Sequence, residues 1–502
     1  MRTSAEYKAS LKAMRPNVYK FGELIEDVTS HPSTRRMIEG HGQLYDLSFD
    51  PKWQDVFTTM SILDGKRVSR YLNVVRSVDD MVANCRMKRA AFNLTGTCTG
   101  ARCVGFTAMN AMWAATYDMD KENGTEYHKR LRAWLAKAQK DDITVAGALT
   151  DAKGDRSLSA SQQEDPDMSV HIVERRKDGI VVRGAKVMIC GTAAANEVFV
   201  LPGAGYKENE KDYAVSFVIP RDTKGMTIVE TRKPNDTRCA EGGFDDPVAI
   251  GGITQAYIFF EDVFVPNDRV FMSGEWKHTV PVIMNFTSAY RAAIGACVAG
   301  QGDVMVGASV LMARANGLDE KVFRDKLTKM VVNNETTFAM GLAAAMLGKA
   351  HPSGAWISDP LLANINKVHV GSLPYDTKIL AQEIGGGICE TGCMPSYVDF
   401  NDKRYGHLVR KYLKANATPE DRAKAARLVE WLTIGGGVPG CMHGGGSPDG
   451  AKLLIWTKSE IEKKVDMAKR LADVKGDIRP KPKDGEKGRE KGKETEKDNA
   501  QK

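Results

Sequence analysis

At 502 residues, with 42% hydrophobic and 27% charged residues, the chain carries enough apolar sequence for one large multi-layered unit or about three domains, which excludes disorder as the default. The formal charge of +7 invites a nucleic-acid partner. Residues 475–502 hold ten Lys/Arg against seven Asp/Glu, however, which leaves only about +4 on the body and makes nucleic acid a poor reading.

The first twenty-odd residues mix charges into a short amphipathic pattern, without the apolar run and small-residue cleavage site of a secretory signal, so a cytoplasmic protein is expected. The most apolar helical stretch read from the sequence, 336–347, is too short to span a bilayer and is followed by Gly348 and Pro352; no membrane helix is expected. Nine cysteines, an odd number scattered along the chain, do not resemble a secreted disulfide framework and read as reduced thiols or cofactor ligands.

In chain order, residues 1–142 show helical spacing, clearest at 101–117 and 127–139, and are predicted to form a helical domain. From 143 to 275 the pattern changes to short β-rich runs at 143–149, 171–174, 180–190, 197–201, 213–219 and 255–260, predicting a small β domain. Asp178-Gly179 marks a tight hairpin, since both residues tolerate positive φ. Residues 276–474 return to helical spacing at 280–316, 320–347, 360–383 and 419–434, predicting a helix bundle. The tail 475–502 is predicted to be disordered, because it has almost nothing apolar to offset the entropy of ordering. The fold class is therefore α+β, in the order helical, β, helical, which is the layout of acyl-CoA dehydrogenase-like flavoproteins; that layout is an analogy of fold and not of chemistry.

Four segments suit chemistry. Leu149, Thr150, Asp151, Lys153, Gly154, Asp155, Arg156, Ser157 and Leu158 form a post-strand loop rich in hydroxyls and charge, suited to a polar cofactor edge and equally to a capped turn. Met188, Ile189, Cys190 and Gly191 end a strand with a glycine, either to admit a planar ring or as an ordinary bulge. Gly385, Gly386 and Gly387 stand where a helix ends, as an anion-facing turn or a C-cap. His443 lies in a glycine-rich loop, as an acid or base or as a structural histidine. Cys98, Cys103 and Cys297 are candidate iron–sulfur ligands, each equally readable as a small buried hydrophobe.

The motifs Arg-Cys-Val-Gly at 102–105, Thr-Glu-Tyr-His-Lys at 125–129, Ala-Leu-Thr-Asp-Ala-Lys-Gly-Asp-Arg at 148–156, Asp-Gly-Ile-Val-Val-Arg-Gly-Ala-Lys at 178–186, Lys-Asp-Tyr-Ala-Val-Ser-Phe at 211–217 and Met-His-Gly-Gly-Gly-Ser-Pro at 442–448 together resemble the 4-hydroxybutyryl-CoA dehydratase/vinylacetyl-CoA isomerase family, within the wider 4-hydroxyphenylacetate 3-hydroxylase family. The resemblance runs in uninterrupted order from near Tyr7 to about Arg470. It implies an acyl-CoA dehydrogenase-like homotetramer and an FAD lined by residues 149–158 and 188–191. Gly385 to Gly387 and the loop around His443 are then expected to approach the flavin from a neighbouring subunit. It also implies a [4Fe–4S] cluster on two cysteines four apart and a histidine and cysteine seven apart. Cys103 and Cys297 match the second member of each pair, but Thr99 and Tyr290 stand at the first.

Cys98 lies five residues from Cys103, about 140° around a regular helix, against about 40° for a four-residue step. Gly96 and Gly100 offer a way to unwind that segment, whereas His278 is too distant to replace Tyr290. Gly440 stands at the position of a family glutamate. The resemblance thus implies a flavoenzyme, an oxidoreductase or lyase–isomerase on an acyl-CoA, with the cluster altered or absent and Tyr290 and His443 as catalytic candidates. Two alternatives stay open: a flavin-dependent phenol monooxygenase, for which Gly147 stands where a histidine is expected, and a non-catalytic flavin-fold scaffold.

Overall fold

A computed structural model of the chain describes residues 1–96, 98–232, 242–248, 251–252, 254–434 and 444–476. His443, Gly440 and nearly all of the charged tail lie outside the described residues.

The first section is helical with strands inserted. Its elements are α1 (Ser4–Lys12), β1 (Val18–Lys20), β2 (Glu23–Ile25), α2 (Pro32–Leu47), α3 (Gln54–Phe57), β3 (Thr58–Met60), β4 (Arg67–Ser69), α4 (Val78–Thr95), α5 (Gly100–Asn123) and α6 (Tyr127–Asp141). Capping follows the side chains: Thr3 and Glu6 form a reciprocal capping box on α1, and Ser77 caps α4. Helix α4 stops at Gly96, whose φ of +59° is left-handed, and α5 begins only at Gly100. Cys98 therefore stands in a connection between helices, and the helical register does not bind it.

The middle section holds β5 (Val145–Ala148), β6 (His171–Arg175), β7 (Gly179–Cys190), β8 (Glu197–Val200), β9 (Val215–Pro220), β10 (Met226–Glu230), β11 (Gln255–Pro266) and β12 (Val270–Ser273). A six-stranded sheet runs β2-β1-β10-β11-β7-β6 and a four-stranded sheet β12-β9-β8-β5. The β1–β10 and β5–β8 pairings are parallel and the other pairings in these sheets antiparallel, so the N-terminal section supplies two strands of the larger sheet.

The β6–β7 hairpin forms with Arg175 opposite Ile180, but neither Asp178 nor Gly179 has positive φ. What Gly179 provides is room: a Cβ there would stand 2.2 Å from the Val265 carbonyl oxygen. Helix α5 lies directly on β5 for the same reason. A Cβ on Gly147 would be 2.6 Å from the Val104 backbone, and one on Gly105 would be 2.1 Å from the Val145 oxygen.

Beyond β12 come α7 (Thr279–Ala315), α8 (Arg324–Met346), the two-residue strands β13 (Lys349–Ala350) and β14 (Trp356–Ile357), α9 (Pro360–Val370), α10 (Leu373–Gly385), α11 (Gly387–Glu390), α12 (Tyr397–Phe400), α13 (Gly406–Leu413), α14 (Pro419–Thr433), α15 (Pro448–Lys458) and α16 (Ile461–Leu471). The single helix expected over 360–383 is two, because Pro374 in the first turn of α10 has no N–H to continue the backbone ladder of α9 and its ring would meet the carbonyl one turn back.

Helix α7, not the 336–347 stretch, contains the long apolar run. By length and composition it could cross a membrane, yet 61% of its most apolar window is buried inside the protein. Its small residues let neighbours approach closely: a Cβ on Gly295 would meet the Thr337 oxygen, and one on Gly300 the Arg89 oxygen, both at 2.5 Å. It is a central bundle helix. The three sections share one compact unit, Met1–Ile455, and a second unit begins at Trp456, where α16 has no buried residue.

Candidate active site

The loop over 149–158 and the end of β7 form one surface. The Val187 amide donates to the Thr150 carbonyl at 2.9 Å, and Asp151 bridges to Lys186 in the backbone pairing. Lys186 is fully buried, donates to the Leu149 and Leu201 carbonyls at 2.9 and 2.8 Å, and pairs with the Asp151 carboxylate at 2.5 Å. Tyr206 donates its hydroxyl to the same carboxylate at 3.2 Å. Burial lowers the Lys186 ammonium below its ordinary range, while Asp151 opposes that shift. Asp151 thus turns its carboxylate into the protein and anchors the loop from behind. Lys153, Gly154, Asp155, Arg156, Ser157 and Leu158 are exposed, with Asp155 held below the usual carboxylate range by hydrogen bonds from Ser157. Met188 is exposed in left-handed backbone at φ +56°, Ile189 is buried, and Gly191 is left-handed at φ +71°.

The end of β7 docks on the first turn of α5. A Cβ built on Gly100 would stand 2.5 Å from the Cys190 Cβ, and one on Gly191 would stand 2.4 Å from the Ala101 nitrogen. A short backbone ladder pins the same corner: Gly191 N donates to Thr254 O, Gly252 N to Gly96 O, and Cys98 N to Gly252 O, at 2.9, 3.0 and 3.1 Å. Cys98, Cys103, Cys190 and Cys297 form no disulfide. Burial pushes the Cys98 thiol well above its ordinary value, and Cys103, Cys190 and Cys297 push it further. The same four thiols surround Tyr290 electrostatically, after burial the main reason its phenol lies well above the usual range. The Tyr290 ring stacks on Phe286, 5.7 Å between centroids and 9° between planes.

Several buried cations border this phenol. The Lys88 ammonium, on a side chain 2% exposed, lies 5.9 Å from the Tyr290 ring centroid. Arg291 donates through Nε to the Gly445 carbonyl at 3.0 Å and through a terminal nitrogen to Asn364, and burial lowers it to about 10. Lys367 donates to the Gly444 carbonyl at 2.5 Å. These two cations draw the described end of the glycine-rich loop against Tyr290, so closely that a Cβ on Gly445 would be 2.6 Å from the ring.

Gly385 has Cys389 and Val429 of the bundle as its neighbours, and Gly386, at φ +76°, ends α10; within one chain these glycines belong to the bundle. Among the described residues no three His, Cys, Asp or Glu side chains are arranged to grip a single metal ion. Sequence reasoning missed Lys88, although the signal was present: it shares a helical face with Met81, Cys85 and Phe92, a charge on an otherwise apolar stripe. It also missed that Cys190 packs on Gly100 at the start of α5, since that contact links residues ninety positions apart.

Residues 3–272 match the family described as 4-hydroxyphenylacetate 3-hydroxylase N terminal, and residues 281–473 the one described as 4-hydroxyphenylacetate 3-hydroxylase C terminal. The chain belongs to the 4-hydroxyphenylacetate 3-hydroxylase family, a family of flavin-dependent enzymes. Within it, the chain is 37% identical to 4-hydroxybutyryl-CoA dehydratase/vinylacetyl-CoA-Δ-isomerase of Clostridium aminobutyricum, over 95% of this chain and 100% of that protein. The structure of an oxygen-tolerant archaeal 4-hydroxybutyryl-CoA dehydratase from N. maritimus superposes with a TM-score of 0.92 at 35% identity, covering 96% of this chain and 97% of that one. The oxygenase component of 4-hydroxyphenylacetate 3-monooxygenase, solved with FAD, shares the fold at a TM-score of 0.81 and 23% identity, over 94% of this chain and 99% of that one.

Proposed function

We propose that the chain is an FAD-dependent enzyme acting on an acyl-CoA, with dehydratase and double-bond isomerase chemistry at the Cα–Cβ–Cγ region. The observation that carries this reading is the 37% identity to the Clostridium dehydratase/isomerase along essentially the whole chain. FAD is assigned to the exposed surface formed by the 149–158 loop and the end of β7, which adjoins Tyr290 through Cys190 and α5. We further assign an acyl-CoA dehydrogenase-like architecture in sections 1–142, 143–275 and 276–474, a cytoplasmic location, and a homotetramer in which Gly385 to Gly387 reach a neighbouring site.

When bound, FAD supplies an acceptor for hydride or single electrons, and an iron–sulfur cluster a Lewis acid for a hydroxyl. The chain's own residues do the rest. Tyr290, its phenol raised by burial, stays protonated at neutral pH and donates to the departing hydroxyl or to the thioester oxygen. Lys88 sets positive charge beside its ring. Arg291 and Lys367 hold the Gly444–Gly445 backbone over the ring, which excludes water from the reacting carbons.

A phenol monooxygenase is the weaker reading. Gly147 stands where that activity is expected to need a histidine, and the backbone of Val104, 2.6 Å from a Cβ there, leaves no room for any side chain. The test is a titration of anaerobically purified, flavin-loaded protein followed through the visible flavin spectrum. The proposed function predicts a saturable change with 4-hydroxybutyryl-CoA and none with 4-hydroxyphenylacetate; the reverse pattern, with oxygen-dependent hydroxylation of the phenol, favours the oxygenase.

A further inference from the structure

We propose that the Lys88 ammonium binds the thioester carbonyl oxygen of the acyl-CoA and stabilises the negative charge that gathers there when a Cα proton leaves. The proposal rests on the acyl-CoA reading above and deepens it by assigning the oxygen that Lys88 takes, which leaves Tyr290 to the hydroxyl.

Lys88 is 2% exposed on α4, on the face it shares with Met81, Cys85 and Phe92. Its ammonium lies 5.9 Å from the centroid of the Tyr290 ring. Among the described residues, none accepts a hydrogen bond from that ammonium or pairs with it as an ion. Two other buried lysines are supplied with oxygens: Lys186 has the Leu149 and Leu201 carbonyls and Asp151, and Lys367 has the Gly444 carbonyl. The titratable neighbours of Lys88 bring no counter-charge either. Burial pushes the Cys85 thiol up to about 11 and the Tyr290 phenol well above its ordinary range, so both are uncharged at neutral pH. An aromatic face recovers only part of what an ammonium loses on leaving water, so the burial of Lys88 lacks the oxygen that would offset it.

The residue is also held in place. Arg89, its neighbour in sequence, grips Asp303 of α7 through Nε and a terminal nitrogen at 2.8 and 2.7 Å, and a Cβ on Gly300 of α7 would stand 2.5 Å from the Arg89 carbonyl oxygen. Helix α4 is thereby clamped to the helix that carries Tyr290, with Lys88 turned about 100° from Arg89 towards the interior.

The reaction class supplies the missing oxygen. Loss of a proton from Cα sends the electron pair of the broken C–H bond to the thioester oxygen, and a fixed donor in a dry site gains most as that charge develops. The Lys88 proton stays on its nitrogen and no bond to it breaks: the residue binds the charge and carries no proton.

The experiment titrates full-length, flavin-loaded protein with acetoacetyl-CoA, whose enolate absorbs in the near ultraviolet, as pH is raised from neutral. Wild type is expected to hold the bound ligand as its enolate at a pH where the free ligand is not ionised at its β-keto group. Lys88→Met should bind the ligand without ionising it, and its kcat for isomerising vinylacetyl-CoA should fall about 10²–10³-fold with KM changed less. Because that substitution removes an unpaired charge from an apolar stripe, its melting temperature should stay level or rise, the opposite of losing a structural lysine. Lys88→Gln repeats the measurement if Lys88→Met does not fold, and Lys88→Arg should restore part of the enolate. The proposal is overturned if folded Lys88→Met or Lys88→Gln ionises the bound ligand at the same pH as wild type, or if stability and turnover fall together while enolisation is unchanged. Wild type that binds no acyl thioester counts against the proposed function and the Lys88 assignment together; wild type that isomerises the thioester no faster than either variant counts against Lys88 alone.

Discussion

The Lys186 ammonium lies 2.5 Å from the Asp151 carboxylate, and neither side chain reaches solvent by more than a few per cent. This pair fixes the 149–158 loop to β7. Removing one partner leaves a buried charge uncompensated, so Lys186→Met is expected to cost about 3–5 kcal/mol in chemical denaturation. The double variant Lys186→Met/Asp151→Leu should recover much of that loss. Flavin affinity should fall in the single variant, because the loop loses its anchor.

Gly100 tests the docking of β7 on α5. Alanine there gains a little helix propensity but puts a Cβ 2.5 Å from that of Cys190, and neither Cβ can swing away. Overpacking should win: Gly100→Ala is expected to destabilise by about 1–3 kcal/mol and to weaken flavin retention, checked by thermal melting and by flavin content after gel filtration.

Tyr290→Phe keeps the stack on Phe286 and removes only the hydroxyl. If the phenol donates a proton or hydrogen bond to the reacting oxygen, kcat should fall about 10²–10⁴-fold with KM changed little and the melting temperature nearly unchanged. Since the phenol is raised well above its ordinary value, ionisation of Tyr290 should not reduce wild-type activity between neutral pH and pH about 10. A wild-type activity loss within that window that disappears in Tyr290→Phe would contradict this role.

His41 is fully buried, and burial, reinforced by Arg102, pushes its imidazolium down to about 3 from the ordinary 6.5. Above pH 6.5 both folded and unfolded states hold it neutral and it adds no pH dependence. Below that the unfolded chain takes up the proton first, so stability is lost as pH falls towards about 3, on the order of a few kcal/mol in all. Replacing it by His41→Gln should flatten the acid limb of a denaturation-versus-pH curve; an unchanged limb would exclude His41 as its source.

Much of the fold was legible because its signals are local. Helix α5 was visible from apolar positions three and four apart, and β7 from its run of branched residues. Strands β1 and β2, of three residues each, were not, since β1 pairs with β10 two hundred positions away and β2 is held only on the other edge of β1. The apolar length of α7 was underread because its small residues look unremarkable until Arg89 and Thr337 are seen against them. At the site, family motifs pointed to the loop and the β7 turn. They did not reveal that Asp151 turns inward onto Lys186, nor that Cys190 packs on Gly100, because both facts depend on which face of β7 packs inward.

The central claim is best tested by incubating anaerobically purified, flavin-loaded protein with vinylacetyl-CoA and following migration of the double bond to the conjugated but-2-enoyl thioester. Isomerisation needs no departing hydroxyl, so it reads the acyl-CoA chemistry independently of the cluster. The account predicts turnover that depends on flavin and falls in Tyr290→Phe. A folded, flavin-replete protein that neither binds nor isomerises the thioester would contradict it.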